Sequence, residues 1–196
     1  KKEVGSLRKD EKRMTQLIDR LSKLIAARTA KKRTPAQKPE PASRPTRPGA
    51  PELENNELPQ AAPTGSFARQ KGSLRLPVKG VVSNRFGSPR QEGSTWKGLF
   101  IRSNIGSEVK AIAGGRVVFA EWMRGFGNLL IIDHGDSYLS IYGNNDSLLK
   151  QVGQAVKGGE TVATVGNSGG NPESGLYFEL RHQGQPIDPM KWASLK

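Results

Sequence analysis

The chain of 196 residues contains no cysteine and only two histidines, His134 and His182. Disulfide bonds are therefore excluded, and the fold has to be stabilised by its own core. A catalytic zinc site needs about three nitrogen, sulfur or carboxylate ligands and one open position. Both histidines lie beside predicted turns with no further ligands at metal-binding spacing, so we interpret them as ordinary turn or surface residues. The sequence thus indicates no metal ion and no other cofactor.

Proline is absent before Pro35, and residues 1–33 carry apolar side chains at helical spacing. One heptad position holds Leu7, Met14 and Leu21, and the second core position holds Leu17 and Leu24. This pattern predicts a coiled-coil helix that is the C-terminal part of a longer coil. The alternative is an amphipathic helix that packs on its own domain. Because the helical pattern is already under way at Lys1, we interpret the chain as a fragment, for which a missing export signal is uninformative.

Residues 34–73 are predicted to be a Pro-rich linker, because eight of the 13 prolines lie between Pro35 and Pro63. Such a composition cannot bury a core and favours extended conformations. Two short segments within it, residues 53–58 and 66–71, are candidates for helical turns, the second with Ser66 as a possible N-cap.

The formal net charge is +13, and the basic excess lies at one end of the chain. Residues 1–52 hold 15 Lys and Arg against six Asp and Glu, whereas residues 53–196 hold 16 against 12. No aromatic residue that would stack on bases occurs between Lys2 and Ser66. We therefore predict no nucleic-acid partner and favour an anionic surface, such as a membrane leaflet or a cell-wall polymer.

From residue 74 onward, short strand patterns alternate with turns that contain glycine or proline. The predicted strands are residues 74–78, 81–86, 98–101, 106–113, 115–122, 128–133, 137–142, 161–165 and 176–181. Many short strands at spacings of about 8–12 residues are typical of a β-barrel or β-sandwich. We therefore predict a mainly β domain over residues 74–196.

The last predicted strand carries the clearest pattern. Leu176, Phe178 and Leu180 alternate with Tyr177, Glu179 and Arg181, which is the period of a half-buried strand. A Gly-rich turn over residues 166–172 precedes it.

This layout resembles the last catalytic strand of the LytM/lysostaphin-type zinc metallopeptidases, where a Gly-rich turn leads into His-x-His-Phe-Glu and one of the two rings binds zinc. Gly175 and Tyr177 occupy the two His positions, while Phe178 and Glu179 keep the frame. The resemblance covers about 120 residues, from Leu74 to Trp192, because further Gly- and Val-containing runs of the family follow in the same order.

Two other runs complete the comparison. Residues 96–101 read W-K-G-L-F-I where the family has His-x-Gly-x-Asp-Ile, so Trp96 and Phe100 replace a His and an Asp that bind zinc. Asn144, two residues after Tyr142, replaces the His that serves as general base. None of these site positions keeps a zinc ligand or a general base, which implies a degenerate domain that is not an enzyme.

A coiled coil, a linker and a degenerate LytM domain, in that order, resemble the EnvC-like family of murein hydrolase activators. The resemblance implies a periplasmic protein that is held to an FtsEX-type membrane complex by its coiled coil. It also implies that the former active-site groove binds an N-acetylmuramoyl-L-alanine amidase and relieves its self-inhibition, so that septal peptidoglycan is split during cell division.

The predicted partner-binding groove comprises eight residues: Trp96, Lys97, Phe100, Phe126, Tyr142, Asn144, Tyr177 and Arg181. Aromatic residues and Arg are the usual anchors of protein interfaces, and a helix in an apolar groove is a common recognition mode. Lys97 and Arg181 would flank the groove and pair with acidic groups of the incoming helix. The alternatives are that the aromatic residues only fill the space left by the metal and that the two cations are solvated surface charges.

Two further functions compete with that of an amidase activator. The chain would be a passive peptidoglycan-binding module if it kept only the old substrate cleft, or a peptidoglycan hydrolase if it used an unconventional site. Regulation is also expected, because an activator that is always on would endanger the cell. Leu53, Leu58 and Phe67 have enough chain to fold back, so part of residues 53–71 is predicted to cover the groove.

Overall fold

The computed structural model describes residues 6–31, 54–55, 67–90, 94–169 and 173–193. This part of the chain contains one α-helix, two 3-10 turns (Phe67–Gln70 and Pro189–Lys191) and eleven strands. The elements are α1 (Ser6–Lys31), β1 (Glu54–Asn55), β2 (Gly80–Asn84), β3 (Leu99–Arg102), β4 (Glu108–Lys110), β5 (Gly115–Met123), β6 (Gly127–Gly135), β7 (Tyr138–Leu148), β8 (Ala155–Val156), β9 (Thr161–Val165), β10 (Gly175–His182) and β11 (Gln185–Ile187). No helix in these ranges is both long and apolar enough to span a membrane.

The strands form one antiparallel sheet in the order β1-β2-β3-β10-β7-β6-β5-β8. β11 adds to β10, and β9 joins β7 to β4. The mainly β fold class is therefore confirmed. β10 lies between β3 and β7, with Tyr177 opposite Phe100 on one side and Gly143 on the other. This central position places the last strand motif at the middle of the sheet.

The main core lies on one face of this sheet. Leu176, Phe178 and Leu180 of β10 are fully buried in it, as predicted, but the strand is not half-buried, because Tyr177, Glu179 and Arg181 on its other face are buried as well. Residues 74–78 were predicted to be a strand, but only Leu74 forms a bridge, to Ala193. Leu76 and Val78 nevertheless lie fully buried in the same core.

The opposite face of the sheet is covered by α1. Met14, Ile18 and Leu21 are exposed by only 1%, 1% and 7%, and they pack on the sheet rather than on another helix. Their spacing of four and three residues places them on one side of the helix. In this structure α1 is therefore an amphipathic helix packed on its own domain. The apolar stripe that was predicted to form a coiled coil contacts the sheet of the same chain. Leu24, from the second heptad position, stays 54% exposed.

The linker segment predicted to cover the groove is attached elsewhere. Phe67, which is 2% exposed, stacks on His134 and Trp192 with ring centroids 4.6 and 5.0 Å away, and so belongs to the main core. Glu54–Asn55 pairs with β2 as a strand instead of forming a helical turn. The prediction of a groove cover was therefore wrong for these residues, because an apolar ring buried in the core cannot also lie on the other face. Leu53, Leu58 and Ser66 lie outside the described residues.

The histidine on which Phe67 stacks, His134, is held in its neutral form. Burial lowers the pKa of His134 to about 4. Its Nδ1 donates to the Gly114 carbonyl at 2.8 Å, and its Nε2 lies 2.6 Å from the Ser140 hydroxyl. The Ser140 hydroxyl also contacts the Tyr142 hydroxyl at 2.9 Å. Protonation of this ring would insert an uncompensated charge into a polar network that is already satisfied.

We therefore expect the free energy of unfolding to fall by up to about 3 kcal/mol as the pH is lowered from 7 towards 4. The unfolded ring takes up a proton as the pH passes its ordinary pKa of 6.5, whereas the folded ring does so only near 4. Urea unfolding across this range measures the effect. His182→Gln is the matched control and should keep the loss, while His134→Gln should remove most of it; equal curves for the two variants would contradict the assignment.

Candidate partner-binding groove

The surface beneath α1, here called the groove face, is built from alternating residues of three adjacent strands. Leu139 and Ile141 of β7 lie in register with Arg181 and Glu179 of β10, and Tyr177 continues the same row. The apolar members buried under the helix are Phe126, Leu129, Ile131, Leu139, Ile141 and Tyr177. Because side chains alternate between the faces of a strand, these residues point away from the main core.

An aromatic cluster lies at one end of the groove face. The Tyr177 ring is 5.7 Å from Phe126 and 6.4 Å from Trp96, measured between centroids. The Arg90 guanidinium lies 4.1 Å from the Trp96 ring centroid, a cation–π contact. Trp96 packs at the edge of the cluster and keeps part of its surface exposed. Three of the residues predicted to form the groove are thus brought together.

A buried polar row runs along β10 on the same face. The Tyr177 hydroxyl donates to Glu179 at 3.1 Å, and Arg181 Nε donates to the other Glu179 oxygen at 2.6 Å. Arg181 Nη1 donates to the Gly184 carbonyl at 3.0 Å. Burial raises the pKa of Glu179, and Arg181 opposes this rise. Burial and the nearby Glu179 carboxylate raise the pKa of the Tyr177 hydroxyl.

Arg181 therefore differs from its predicted role. It was expected to flank the groove as a cation available to a partner, but its side chain is 4% exposed and paired with Glu179, which is 1% exposed. The physical reason is that a buried carboxylate two residues away on the same strand face needs a partner of opposite charge. In this state Arg181 is a structural cation.

The N-terminal part of α1 adds polar contacts to the apolar ones. The Ser94 hydroxyl donates to Glu11 at 2.7 Å, and Asp10 forms an ion pair with Arg13 at 3.2 Å. The Asp10 carboxylate packs on Gly125, where a Cβ atom would clash with it. Burial raises the pKa of Asp10, and the positive charges of Arg13, Arg124 and Arg90 oppose this. The helix thus inserts acidic side chains beside two arginines of the domain.

Two predicted residues have other roles. Tyr142 lies in the main core, on the face opposite to the groove, and its hydroxyl accepts from the Ile112 amide at 3.0 Å. Strand periodicity explains this, because Tyr142 is opposite Phe178 rather than Tyr177. Asn144 is 3% exposed and uses its amide to hold the Gly-rich turn, donating to the Gly166 and Gly175 carbonyls at 3.0 and 2.9 Å. It is thus a structural residue at the former base position.

The last two predicted residues lie beside the groove face. Phe100 is 3% exposed and lies opposite Tyr177, with its ring packed over Gly175. It belongs to neither apolar cluster. Lys97 is half-buried, and its ammonium group donates to the Thr95 hydroxyl at 3.1 Å.

A zinc ion does not fit the residues at the former ligand positions. Phe100 offers only carbon atoms, Trp96 lies under the Arg90 guanidinium, and the Tyr177 hydroxyl is engaged with Glu179. In the described part of the chain no group of three or more His, Cys, Asp or Glu side chains is placed to hold a metal ion.

Sequence reasoning missed the aliphatic floor of the groove, formed by Leu129 and Ile131 of β6 and Leu139 and Ile141 of β7. A signal was present, because residues 129–132 read L-L-I-I. A continuous apolar run in a strand indicates that both of its faces are covered.

The chain is similar to a family of peptidases and to two murein hydrolase activators. The profile of Peptidase family M23 matches residues 94–189. The murein hydrolase activator EnvC of Escherichia coli (strain K12) is 43% identical over 129 residues, which cover 66% of this chain and 31% of that protein. The murein hydrolase activator NlpD of the same strain is 41% identical over 119 residues, covering 60% of this chain and 30% of that protein. The chain therefore spans about a third of the length of these curated relatives.

Among solved structures, the catalytic domain of the antimicrobial peptidase lysostaphin from Staphylococcus simulans superposes with a TM-score of 0.51 at 27% identity. The match covers 55% of this chain and 86% of that domain. The chain thus has a lysostaphin-like fold and is homologous to the murein hydrolase activators EnvC and NlpD.

Proposed function

We propose that the chain, which carries a domain of peptidase family M23, is a non-catalytic activator of N-acetylmuramoyl-L-alanine amidases. It binds them through the groove face. The observation that carries this proposal is the replacement of the metal-ligand positions by an aromatic and aliphatic surface that holds a helix. A surface that buries Met14 and Ile18 of the chain's own α1 is complementary to an amphipathic helix.

In this proposal α1 indicates the chemistry of the partner. It presents an apolar stripe to the groove face and two carboxylates, Asp10 and Glu11, near Arg90, Arg124 and the Ser94 hydroxyl. An amidase helix with apolar side chains at the same spacing and acidic residues in one turn would compete for the same surface. The docked α1 then represents an off state, because a partner helix and α1 cannot occupy the groove face together.

The wider setting follows the homologous activators. We place the protein in the periplasm, where it would act on septal peptidoglycan during cell division. An FtsEX-type membrane complex is the proposed source of the signal that releases α1. A peptidoglycan hydrolase with an unconventional site is the less favoured alternative, since the described residues provide no cluster of metal ligands.

The test is dye release from labelled peptidoglycan by a partner amidase, by this protein and by both together. Activity is expected only in the mixture. Phe126→Ala, which removes a ring from the aromatic cluster, should weaken stimulation about 30-fold, the size typical of an interface anchor. Trp122→Ala is the matched control, because that ring is 62% exposed and absent from the groove face.

Two outcomes would contradict the proposal. One is dye release by the protein alone, and the other is full stimulation by the folded Phe126 variant. Both proteins should be compared in a background with α1 released, so that a docked helix does not hide the effect.

A further inference from the structure

The outer side of the docked α1 is lined by cations. Residues 6–31 contain eight Lys and Arg against three Asp and Glu. Five of these cations are exposed and recur at spacings of three, four or seven residues, which places them on one side of the helix. This cationic stripe consists of Lys9, Lys12, Arg13, Arg20 and Lys23. The buried side chains of Met14, Ile18 and Leu21 lie on the other side, so α1 is cationic towards solvent and apolar towards the sheet.

The domain makes little use of this charge. Lys9, Lys12 and Arg20 form no ion pair with another described residue. The other two cations pair only within the helix, as Lys23 does with Asp19 at 3.3 Å. Those two side chains are 79% and 67% exposed, and exposed pairs contribute little to stability. The cationic stripe is therefore available to an anionic partner.

The apolar residues at the border of the cationic stripe indicate which anionic partner fits. Leu24 follows Lys23 and is 54% exposed in the docked helix, and Leu17, seven residues earlier, is only half-buried. A soluble polyanion would pair with the cations and leave these leucines in water. A second copy of α1 would bring like charges together, because no acidic residue follows Asp19 in the helix. An anionic lipid surface offers both headgroup charge and hydrocarbon, and helices that lie on it combine Lys and Arg on one face with apolar side chains on the other.

We propose that α1, when it leaves the groove face, lies on the surface of an anionic lipid bilayer. The cationic stripe then contacts the headgroups, and the apolar side of the helix is buried at the boundary with the acyl chains. Because the same apolar side chains serve both sites, α1 occupies either the groove face or the bilayer. An anionic membrane therefore stabilises the released helix and leaves the groove face free. Lipid binding rests on the geometry of α1 alone, whereas its consequence for an amidase rests on the proposed function.

The two sites stabilise different parts of the helix. The apolar side chains are removed from water in either place. The cationic stripe gains only at the bilayer, within about 8 Å of the surface at physiological ionic strength. Two acidic side chains gain only in the docked state, where Glu11 accepts from the Ser94 hydroxyl at 2.7 Å and Asp10 lies near Arg90 and Arg124. The released fraction should therefore rise with the content of anionic lipid and fall with added salt.

The first experiment is cosedimentation of the full chain with vesicles of phosphatidylethanolamine and phosphatidylglycerol, and with vesicles of phosphatidylcholine alone. We expect binding to the anionic vesicles only, at least about 10-fold weaker for the double variant Lys12→Glu, Arg20→Glu. The matched control is Lys79→Glu with Lys157→Glu, which changes the net charge equally at exposed positions outside α1 and should bind as the parent does. Leu24→Ser should bind at least about threefold more weakly, because it removes apolar surface without changing the charge.

A tether tests the exchange of α1 between the two sites. The chain has no cysteine, so Glu11→Cys and Ser94→Cys introduce the only two thiols, at positions whose side chains are in contact in the docked state. A short bismaleimide that joins them holds α1 on the groove face, and a monofunctional maleimide on the same variant is the control. We expect the tethered chain to bind anionic vesicles at least about 10-fold more weakly than the control. Oxidative labelling of Phe126 and Tyr177, both 8% exposed under α1, should rise with vesicles in the control only.

The proposal is overturned if the anionic vesicles do not bind the parent, if the variant at Lys12 and Arg20 binds them as its control does, or if binding leaves Phe126 and Tyr177 protected. Unchanged binding by Leu24→Ser, together with displacement by soluble polyphosphate, would indicate a general polyanion site and also contradict it. These measurements contain no amidase. If vesicles free the groove face but no amidase is stimulated, the proposed function fails while lipid binding by α1 remains. If an amidase is stimulated but vesicles do not bind, the lipid proposal alone fails.

Discussion

Replacing Met14 and Ile18 by glutamate is expected to release α1 and to lower at least 10-fold the concentration of this protein that half-maximally stimulates an amidase. The two side chains are each 1% exposed on the groove face. Full burial of such a side chain contributes about 1.5–3 kcal/mol, and each introduced carboxylate would have to be desolvated to stay there. The double change should therefore shift the docking equilibrium by several kcal/mol.

The gain in stimulation is limited by how firmly α1 docks in the parent. The apparent affinity of a partner is reduced by the fraction of molecules whose groove face is free, so release of the helix recovers that factor and no more. Hydrogen exchange of the amides in residues 9–25 measures the docked fraction directly. In the double variant these amides should lose protection while those of β10 keep it.

Leu24→Glu is the matched control, because Leu24 is on the same helix but 54% exposed. It adds a similar charge without disturbing the groove face and should leave both stimulation and exchange unchanged. Deletion of residues 1–72 is a poorer experiment, because it also removes Phe67 from the main core. Stimulation that stays at the parent level after α1 has lost its protection would show that the helix is not inhibitory.

Strands and core residues could be predicted from the sequence where they depend on local patterns of apolar and turn residues. The strand over residues 161–165 was predicted with its observed bounds, and the alternation in β10 identified Leu176, Phe178 and Leu180 as core residues. Period-two alternation and turn residues act over a few positions, so a single sequence contains them. The replacements at Trp96 and Phe100 are visible in the sequence itself, since neither side chain offers the nitrogen or carboxylate ligand that a His or an Asp gives to zinc.

The partner of the apolar helix stripe could not be predicted in the same way. Met14, Ile18 and Leu21 fit a coiled coil and a docked helix equally, because the spacing defines one helix face and not what covers it. β10 was predicted to be half-buried, whereas seven of its eight residues are buried, since α1 covers its second face. This burial is a long-range property that depends on a contact across more than 150 residues of chain.

Tyr142 and Asn144 show a different limit. Both were assigned to the groove from an alignment with the catalytic positions of a related family. Tyr142 is paired in regular register with β10 and faces the main core by ordinary alternation, opposite Phe178, whereas Asn144 has a positive φ of 66° that interrupts the alternation. A shift of one residue exchanges the two faces of a strand. Motif position alone therefore could not decide which side these residues face.

Arg181→Ala is expected to lower the free energy of unfolding by about 3–5 kcal/mol, because it leaves the Glu179 carboxylate buried without its cation. Glu179 is 1% exposed, and Arg181 Nε is its partner at 2.6 Å. Denaturant unfolding at neutral pH measures the loss. Lys97→Ala is the matched control: its ammonium group contacts only a threonine hydroxyl among the described residues, so the change should cost less than about 1 kcal/mol.

This expected loss matters for the function, because a destabilised protein also fails to activate an amidase. The triple variant Tyr177→Phe, Glu179→Leu, Arg181→Met removes the whole polar row and leaves apolar groups of similar volume. Exchange of a complete buried ion pair for packed apolar side chains is often neutral or stabilising. We therefore expect the triple variant to regain most of the stability that Arg181→Ala loses.

Amidase stimulation by the triple variant then assigns the role of Arg181. If Arg181 serves only to neutralise Glu179, as its two hydrogen-bond partners indicate, stimulation should return with stability to within about threefold of the parent. A triple variant that is as stable as the parent but inactive would contradict this expectation. It would mean that departure of α1 exposes Arg181 and that its guanidinium then pairs with a carboxylate of the amidase. Comparison of the two variants thus separates a cation that holds the groove face together from one that contacts the partner.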